Sequence, residues 1–223
     1  MKLKLCCISD EHEKQDKIVV PDGDVLIHAG DETFEGKIPA FAKFVNWMKQ
    51  QPHKHKIFVA GNHSLNFQNR DRDFSINLLR EAGITYLEDS WTEIEGLLFY
   101  GSPFSVSFYD WAFGLPKGKA MAEKWSHIPD ATNVLITHGP PYMIGDYAPR
   151  GNGYGEHCGC EELLERIWQL SDLKLSVFGH IHEGAGIIEQ KGIKFVNAAI
   201  CDGKYDPTNK PIVIELDAPG SLL

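Results

Sequence analysis

The sequence predicts an α/β fold in which two packed β-sheets lie between helices. Short apolar runs of strand length alternate with helical segments in the first half of the chain, and strand-like runs follow one another near its end. Five of the apolar runs end in residues that can bind a metal ion. Because sites in open α/β sheets lie beyond the carboxyl ends of the strands, we expect a functional site at that edge.

Composition indicates a globular chain with a sizeable core. The 223 residues are 43% hydrophobic and 24% charged, which suits one domain spanning residues 1–223. The net charge is -9 and there is no lysine-rich run, so a long nucleic-acid partner is not expected. The amino terminus lacks the pattern of a signal peptide, and no apolar run approaches ~20 residues, so no membrane partner is expected either. The odd, irregularly placed set of five cysteines indicates reduced thiols in a cytoplasm.

The first half of the chain predicts four strands and two helices. Strands are expected at residues 3–8, 25–27, 56–60 and 84–87. Helices are expected at residues 38–50, where Phe41, Phe44, Val45, Trp47 and Met48 recur near helical spacing, and at residues 73–82, where Gly83 follows.

The second half predicts more strands and fewer helices. Strands are expected at residues 97–100, 134–137, 173–178, 187–188, 194–196 and 212–216, the last three as closing strands that pair with each other. Helices are expected at residues 119–125 and 160–170, and a Gly-rich loop at 145–159.

The run that ends at Phe178 carries the most specific signal. Gly179 allows a close backbone approach, and His180 and His182 follow one residue apart. Alternation along a strand would send these imidazoles to opposite sides, which suits two neighbouring metals. A histidine pair in a loop can also bind nothing, so the interpretation depends on the other strand ends.

The residues at the other four strand ends complete a set of candidate ligands. The set is Asp10, His12, Asp31, Asn62, His138, His180 and His182. A single histidine at a strand end is more often a hydrogen-bonded structural residue, but five such ends are not expected by chance. Two divalent cations with only two carboxylates would keep a charge of about +2, which can hold a phosphate ester. Mixed nitrogen and oxygen ligands favour Mn, Fe, Zn, Co or Ni over Ca.

The order of these residues resembles that of the calcineurin-like metallophosphoesterases. The resemblance is carried by Asp10-x-His12, Gly30-Asp31, Gly61-Asn62-His63, His138 and Gly179-His180-x-His182. A closer resemblance, to the small metallophosphoesterase-domain (UPF0046) branch, is carried by residues 26–31, 60–63, 125–129, 137–141, 179–184 and 206–212. It implies an α/β/β/α sandwich of mixed sheets and two divalent metals, with manganese favoured.

The resemblance also implies roles for these residues. One metal would be bound by Asp10, His12, Asp31 and His182, and the other by Asp31, Asn62, His138 and His180. The catalytic set would be Asp31, Asn62 and His63, with His63 as proton donor or charge stabiliser. The implied reaction is in-line hydrolysis by a metal-bound hydroxide of small phosphodiesters, with cyclic nucleotides as the favoured class. Alternatives are a phosphomonoesterase or nucleotidase of the same fold and a non-catalytic interaction scaffold, although a scaffold is expected to lose ligands.

Two departures from the family pattern concern the support of His63. Ser64 stands where the family usually has a carboxylate, and residues 32–36 lack the Asp and Arg found in the protein phosphatases. Glu35 and Asp110 are candidates to replace the carboxylate. The missing arginine argues against a phosphoprotein phosphatase.

Other features leave alternatives open. His28 is expected to support the site or the core rather than bind metal. The stretch His157-Cys158-Gly159-Cys160 lacks a second zinc-type cluster, and we interpret it as a loop and helix start, with His157 as a candidate substrate contact. The aromatic residues at 104, 108, 109, 111 and 113 would either stack on a base or form a core of their own.

Overall fold

The computed structural model describes residues 1–219 and consists of four layers. Two large mixed sheets pack face to face, and a pair of helices covers the outer face of each sheet. This arrangement confirms the predicted α/β/β/α fold class. The extent of one domain over residues 1–223 stays a prediction. None of the helices in residues 1–219 is long and apolar enough to cross a membrane.

The first sheet contains five strands. Its order is β15 (Ile212–Asp217), β1 (Lys2–Ile8), β2 (Val25–His28), β3 (His55–Phe58) and β4 (Thr85–Tyr86). Strands β1 to β4 are parallel, and β15 runs antiparallel to β1. The carboxyl ends of the four parallel strands therefore meet at one edge.

The second sheet contains six strands. Its order is β13 (Gly186–Gln190), β14 (Ile193–Asn197), β12 (Leu175–Phe178), β9 (Val134–Thr137), β6 (Leu97–Ser102) and β5 (Ser90–Ile94). The four central strands are parallel, and β5 and β13 are antiparallel edges. Two short pairs lie outside both sheets: β7 (Ser105–Val106) with β8 (Gly114–Leu115), and β10 (Tyr147–Gly151) with β11 (Tyr154–His157).

The helices bury amphipathic faces against the sheets. Helices α1 (Ile38–Gln50) and α2 (Arg72–Glu81) cover the first sheet, and α3 (Lys119–Ser126) and α4 (Glu161–Ile167) cover the second. Of the predicted apolar positions of α1, Phe41, Phe44, Val45 and Met48 are buried and Trp47 is half-buried. Short 3-10 turns occupy Gln15–Lys17, Leu65–Phe67 and His182–Gly184. Because both faces of the parallel strands are covered, β2, β9 and β12 are buried at every position.

Two expectations about the elements were wrong, and one strand of the second sheet was missed. Residues 147–157 form a hairpin, not a loop, because Asn152 and Gly153 take positive φ angles of 53° and 77° and turn the chain tightly. Strand β15 pairs with β1 in the first sheet instead of joining β13 and β14. Strand β5 was missed because its exposed edge position leaves only one residue, Ile94, fully buried.

A buried polar contact ties the loop after β2 to the loop after β3. The Ser64 hydroxyl donates to Glu32 Oε2 at 2.7 Å and accepts the Gly61 N–H at 2.9 Å. Both side chains are fully buried, and burial raises the pKa of Glu32 to about 7. A carboxylate therefore does lie beside Ser64, but Glu32 supplies it from the neighbouring loop. The contact fixes the relative positions of the two loops.

Substituting Ser64 by alanine is expected to destabilise the fold. The change leaves a buried carboxylate oxygen and a buried N–H without this partner, which costs about 1–3 kcal/mol of unfolding free energy. Ser176→Ala is the matched control, because the buried Ser176 hydroxyl has no hydrogen-bond partner within residues 1–219. Chemical denaturation of both variants measures the difference. Equal losses of unfolding free energy in the two variants would mean that the Ser64 hydroxyl contributes no more to stability than the unpaired Ser176 hydroxyl.

Candidate metal centre

Five parallel strands deliver the predicted ligands to one place. Asp10 and His12 follow β1, Asp31 follows β2, Asn62 follows β3, His138 follows β9, and His180 and His182 follow β12. The first three strands belong to one sheet and the last two to the other. The ligands therefore meet where the carboxyl ends of both sheets adjoin, at the edge expected from the sequence.

The first group of side chains is Asp10, His12 and His182. One donor atom from each lies within 4.8 Å of the others. His182 Nε2 is 3.5 Å from Asp10 Oδ1 and 3.3 Å from His12 Nε2. All three residues are buried, so these donors face one another instead of solvent.

The second group is Asp31, His138 and His180, whose donor atoms also lie within 4.8 Å of one another. His138 Nε2 is 3.2 Å from Asp31 Oδ2 and 2.7 Å from Asn62 Oδ1. Asn62 therefore adds its amide oxygen to this group. Asp31 also belongs to a third cluster, with His12 and His63, and so lies between the two groups.

The backbone is strained where it presents these ligands. Asp10, Asp31 and His180 take positive φ angles of 56°, 61° and 68°, which non-glycine residues adopt at an energetic cost. Close packing fixes them, because a Cβ on Gly179 would overlap Asp10 Oδ2 and a Cβ on Gly61 would overlap Asp31 Oδ1. Glycine is required at both positions because the ligands pack against the backbone there.

Backbone carbonyls orient two of the imidazoles. His138 Nδ1–H donates to the Ala29 carbonyl at 2.9 Å, and His182 Nδ1–H donates to the Asp202 carbonyl at 2.9 Å. The Nε2 atoms are therefore the nitrogens that face the carboxylates. A carbonyl on the far side of a histidine ring is the usual arrangement around metal-ligating histidines, and the donor set fits divalent cations.

The electrostatics of the centre depend on its two carboxylates. Burial lowers the histidine pKa values, but Asp31 and Asp10 outweigh it at His138 and His182 and raise each pKa to about 9. At His12 and His180 burial prevails and lowers the pKa to about 4. Burial opposes ionisation of Asp31, yet the nearby His138 holds the pKa of this carboxyl well below its usual range. Positive charge is thus favoured beside each carboxylate, where a cation would replace a proton.

His63 lies beside the two groups and has different support from that expected. Its Nδ1–H donates to the Phe34 carbonyl at 2.6 Å, and its ring packs against Trp111 with centroids 4.1 Å apart. Glu35 instead pairs with Lys37 at 2.6 Å. Asp110 is exposed and makes no hydrogen bond to His63 in the described chain. Neither of these two carboxylates therefore supports the His63 ring. The Phe34 carbonyl and the Trp111 indole ring support it instead.

In this orientation of the His63 ring, its Nε2 atom faces the candidate metal centre. Its backbone N–H donates to Asp31 Oδ1 at 2.8 Å, and Nε2 is 3.9 Å from Asp31 Oδ2. His28, in contrast, is fully buried and pairs with Glu11 at 2.7 Å. This pair supports the loops that carry Asp10 and Asp31, as expected for a histidine that is no ligand.

A cleft of about 570 Å³ opens over the centre. Five residues of the candidate centre line it: Asp31, Asn62, His63, His180 and His182. The aromatic residues Phe108 and Trp111 and the polar residues Lys117, Arg150 and His157 line it as well. The aromatic residues of segment 104–113 therefore have two roles. Phe104 and Phe113 pack in the core, while Phe108 and Trp111 face the cleft.

Several residues of the site carried no recognisable signal in the sequence. Trp111 was named only as one of an aromatic cluster, and the Phe34 contribution is a backbone carbonyl that any residue could provide. Asp146, whose carboxylate binds His157 at 2.7 Å, was missed. Tyr205, which packs edge-on against His12, was missed as well.

Comparison with known proteins agrees with this geometry. Residues 5–184 match the family described as calcineurin-like phosphoesterase. Human metallophosphoesterase domain-containing protein 1 is 38% identical over 97% of this chain and 72% of its own length. A UPF0046 protein of Caenorhabditis elegans is 39% identical over 98% of this chain and 82% of its own length.

Solved structures show the same fold at low sequence identity. A Thermus thermophilus protein superposes with a TM-score of 0.62 at 11% identity, covering 88% of this chain and 89% of that one. A dimetal phosphatase from Danio rerio superposes with a TM-score of 0.53 at 10% identity, covering 96% and 91%. The family match and the clusters of histidines and aspartates together indicate a divalent-metal site and a phosphoester hydrolase. The chain belongs to the calcineurin-like metallophosphoesterases.

Proposed function

We propose that this protein is a dinuclear-metal phosphodiesterase that hydrolyses small phosphodiesters, with cyclic nucleotides as the favoured class and manganese as the favoured metal. The observation that carries the proposal is the position of Asp31 between the two ligand groups. One carboxylate in that position can bridge two cations. Asp10, His12 and His182 would complete one metal site, and Asn62, His138 and His180 the other.

The charge of the centre supports a diester. Two bound divalent cations would activate water and hold phosphoryl oxygens. Asp10 and Asp31 are the only carboxylates among the seven ligands, so about +2 remains for the substrate and the attacking group. A diester carries about -1, and a monoester up to -2. The two cations that line the cleft, Lys117 and Arg150, add no net charge for a dianion because Glu156 and Glu183 line it as well.

His63 is the residue of this chain best placed to help the leaving group. The Phe34 carbonyl holds Nδ1–H and Trp111 packs on the ring, so Nε2 is directed at the cleft beside Asp31. From there it can give a proton to a departing alkoxide or stabilise charge on the phosphoryl oxygens. The proposal extends to a cytoplasmic location, which the five free cysteines support.

Removing Asp31 is expected to affect both metals, whereas removing His12 affects one. Asp31→Ala should therefore lose more bound metal than His12→Ala and should lose all turnover. Plasma emission analysis of the purified, metal-reconstituted variants measures the stoichiometry, and thermal unfolding of the metal-free proteins checks that both fold. Normal turnover by Asp31→Ala at saturating Mn²⁺ would rule out the dinuclear site.

A substrate panel tests the reaction class. With each of Mn, Fe, Zn, Co and Ni supplied in turn, kcat/KM should be higher for bis-p-nitrophenyl phosphate than for p-nitrophenyl phosphate, because the diester matches the residual charge. Cyclic nucleotides should be turned over under the same conditions. A preference for the monoester would favour the nucleotidase alternative. Two bound metals without any turnover would favour the non-catalytic scaffold.

The role of His63 depends on the leaving group. A ribose alkoxide needs a proton as it departs, whereas p-nitrophenolate leaves unaided. His63→Ala should therefore slow a cyclic nucleotide by ~10²-fold or more and slow bis-p-nitrophenyl phosphate far less. His127→Ala, an exposed histidine outside the cleft, is the control. Equal losses on both substrates would assign His63 to charge stabilisation or substrate positioning.

A further inference from the structure

We propose that the cleft contains a second subsite, formed by His157 and Asp146, that binds a hydroxyl group on the organic part of the substrate. The proposal rests on the phosphoesterase function and specifies its substrates. It predicts phosphoesters of nucleosides or other polyols, and it makes His157 a specificity-determining residue. The Nε2 atom of His157 is the group that would accept the hydrogen bond.

Asp146 is a buried carboxylate whose contacts fix its orientation. Its side chain is 1% exposed. Oδ2 accepts the N–H groups of Met143 at 2.9 Å and Gly159 at 3.0 Å, and Oδ1 accepts Nδ1–H of His157 at 2.7 Å. A buried carboxylate with three donors holds the histidine ring in one orientation.

The His157 ring is presented to the cleft. Its side chain is 33% exposed, and the rings of Tyr142 and Tyr147 pack edge-on against it with centroids 5.8 Å and 5.3 Å away. His157 lines the same cleft as His63 and His180. Nε2 makes no hydrogen bond within residues 1–219. In the neutral ring this nitrogen is an acceptor, because Nδ1 carries the hydrogen, and its natural partner is a hydroxyl.

The position of this subsite relative to the metal centre is fixed by Asn197. Its Nδ2 donates to the carbonyl of Gly145 at 3.0 Å and to that of Ile181 at 2.8 Å. Gly145 precedes Asp146, and Ile181 lies between the two histidines His180 and His182. The loop that holds the His157 ring is therefore tied directly to the loop that supplies metal ligands.

Charge favours a hydroxyl over a second anionic group. Glu156 and Glu183 line the cleft together with Lys117 and Arg150, and Arg150 is paired with Glu156. With Asp146 behind the His157 ring, three carboxylates outnumber the two cations Lys117 and Arg150, so a second phosphate or carboxylate would find no net positive charge here. A hydroxyl of the group esterified at the metal centre meets a neutral acceptor instead.

Asp146→Asn tests the hydrogen-bond direction without removing the ring. The amide oxygen of the introduced asparagine must face the two backbone N–H groups, so its NH₂ must face His157 Nδ1. That nitrogen then becomes an acceptor, and the hydrogen moves to Nε2, which becomes a donor. The variant thus reverses the polarity of Nε2 at the cleft, and the ¹⁵N chemical shifts of the imidazole would report the change.

The experiment compares kcat/KM of the wild type, Asp146→Asn, His157→Ala and the control His127→Ala. We expect His157→Ala to lose about tenfold on 3′,5′-cyclic AMP, the size of one hydrogen bond, and Asp146→Asn to lose less, because a hydroxyl can also accept from Nε2–H. On bis-p-nitrophenyl phosphate, which has no hydroxyl, they should stay within about twofold of the wild type. Equal losses on both substrates, or a wild-type value for His157→Ala on cyclic AMP, would overturn the proposal.

Calorimetry of adenosine monophosphate binding separates this proposal from the phosphodiesterase assignment. If the wild type hydrolyses no diester but binds the nucleotide, about tenfold weaker binding by His157→Ala supports the subsite while the proposed function fails. Unchanged binding, or no binding by the wild type, overturns the subsite. Should Asp146→Asn fail to fold, His157→Ala and its control decide the question by the same criteria.

Discussion

The structure of the site depends on the burial of one ionised carboxylate, that of Asp31. Its oxygens lie 2.8 Å from the His63 backbone nitrogen and 3.2 Å from His138 Nε2, and its carbonyl accepts the His12 N–H. A charge removed from water is stable only with close opposite charge and hydrogen bonds. The residues around Asp31 supply both, and they come from both sheets. The two sheets must therefore pack together for the metal centre to form.

This requirement explains why strained backbone and glycines concentrate at the strand ends. A ligand reaches the centre only if its strand stops and turns at once, which places Asp10 and Asp31 in the left-handed region. Close approach of the neighbouring strand then leaves room for glycine alone at 61 and 179. The apolar core between the sheets offsets the cost of this strain. We infer that shifting any of these ligands by one position along the chain would remove it from the end of its strand and so from the centre.

Burial also determines which strands and which site contacts can be recognised in the sequence. Strands β2, β9 and β12 were recognisable because burial on both faces makes them continuous apolar runs, and the polar residues that follow mark their ends. The support of His63 was not recognisable. Phe34 contributes only a carbonyl, and Trp111 approaches from a distant irregular segment. The hairpin that carries His157 was predictable from Asn152-Gly153, but its contact with Asp146 depends on tertiary packing.

The proposed choice of substrate depends on two kinds of group that occupy different parts of the cleft. Under this proposal, the net charge of -9 would repel long polyanions at a distance. Only the metal centre, with two carboxylates among seven ligands, can hold positive charge in excess. Around His157 the carboxylates of Glu156, Glu183 and Asp146 outnumber the cations Lys117 and Arg150, so this part of the cleft offers hydrogen bonds and no net positive charge. A substrate that satisfies both regions has a single anionic centre at one end and an uncharged group with hydroxyls at the other. The phosphodiester linkage of a small nucleotide has this distribution of charge, whereas a phosphoprotein or a nucleoside triphosphate does not.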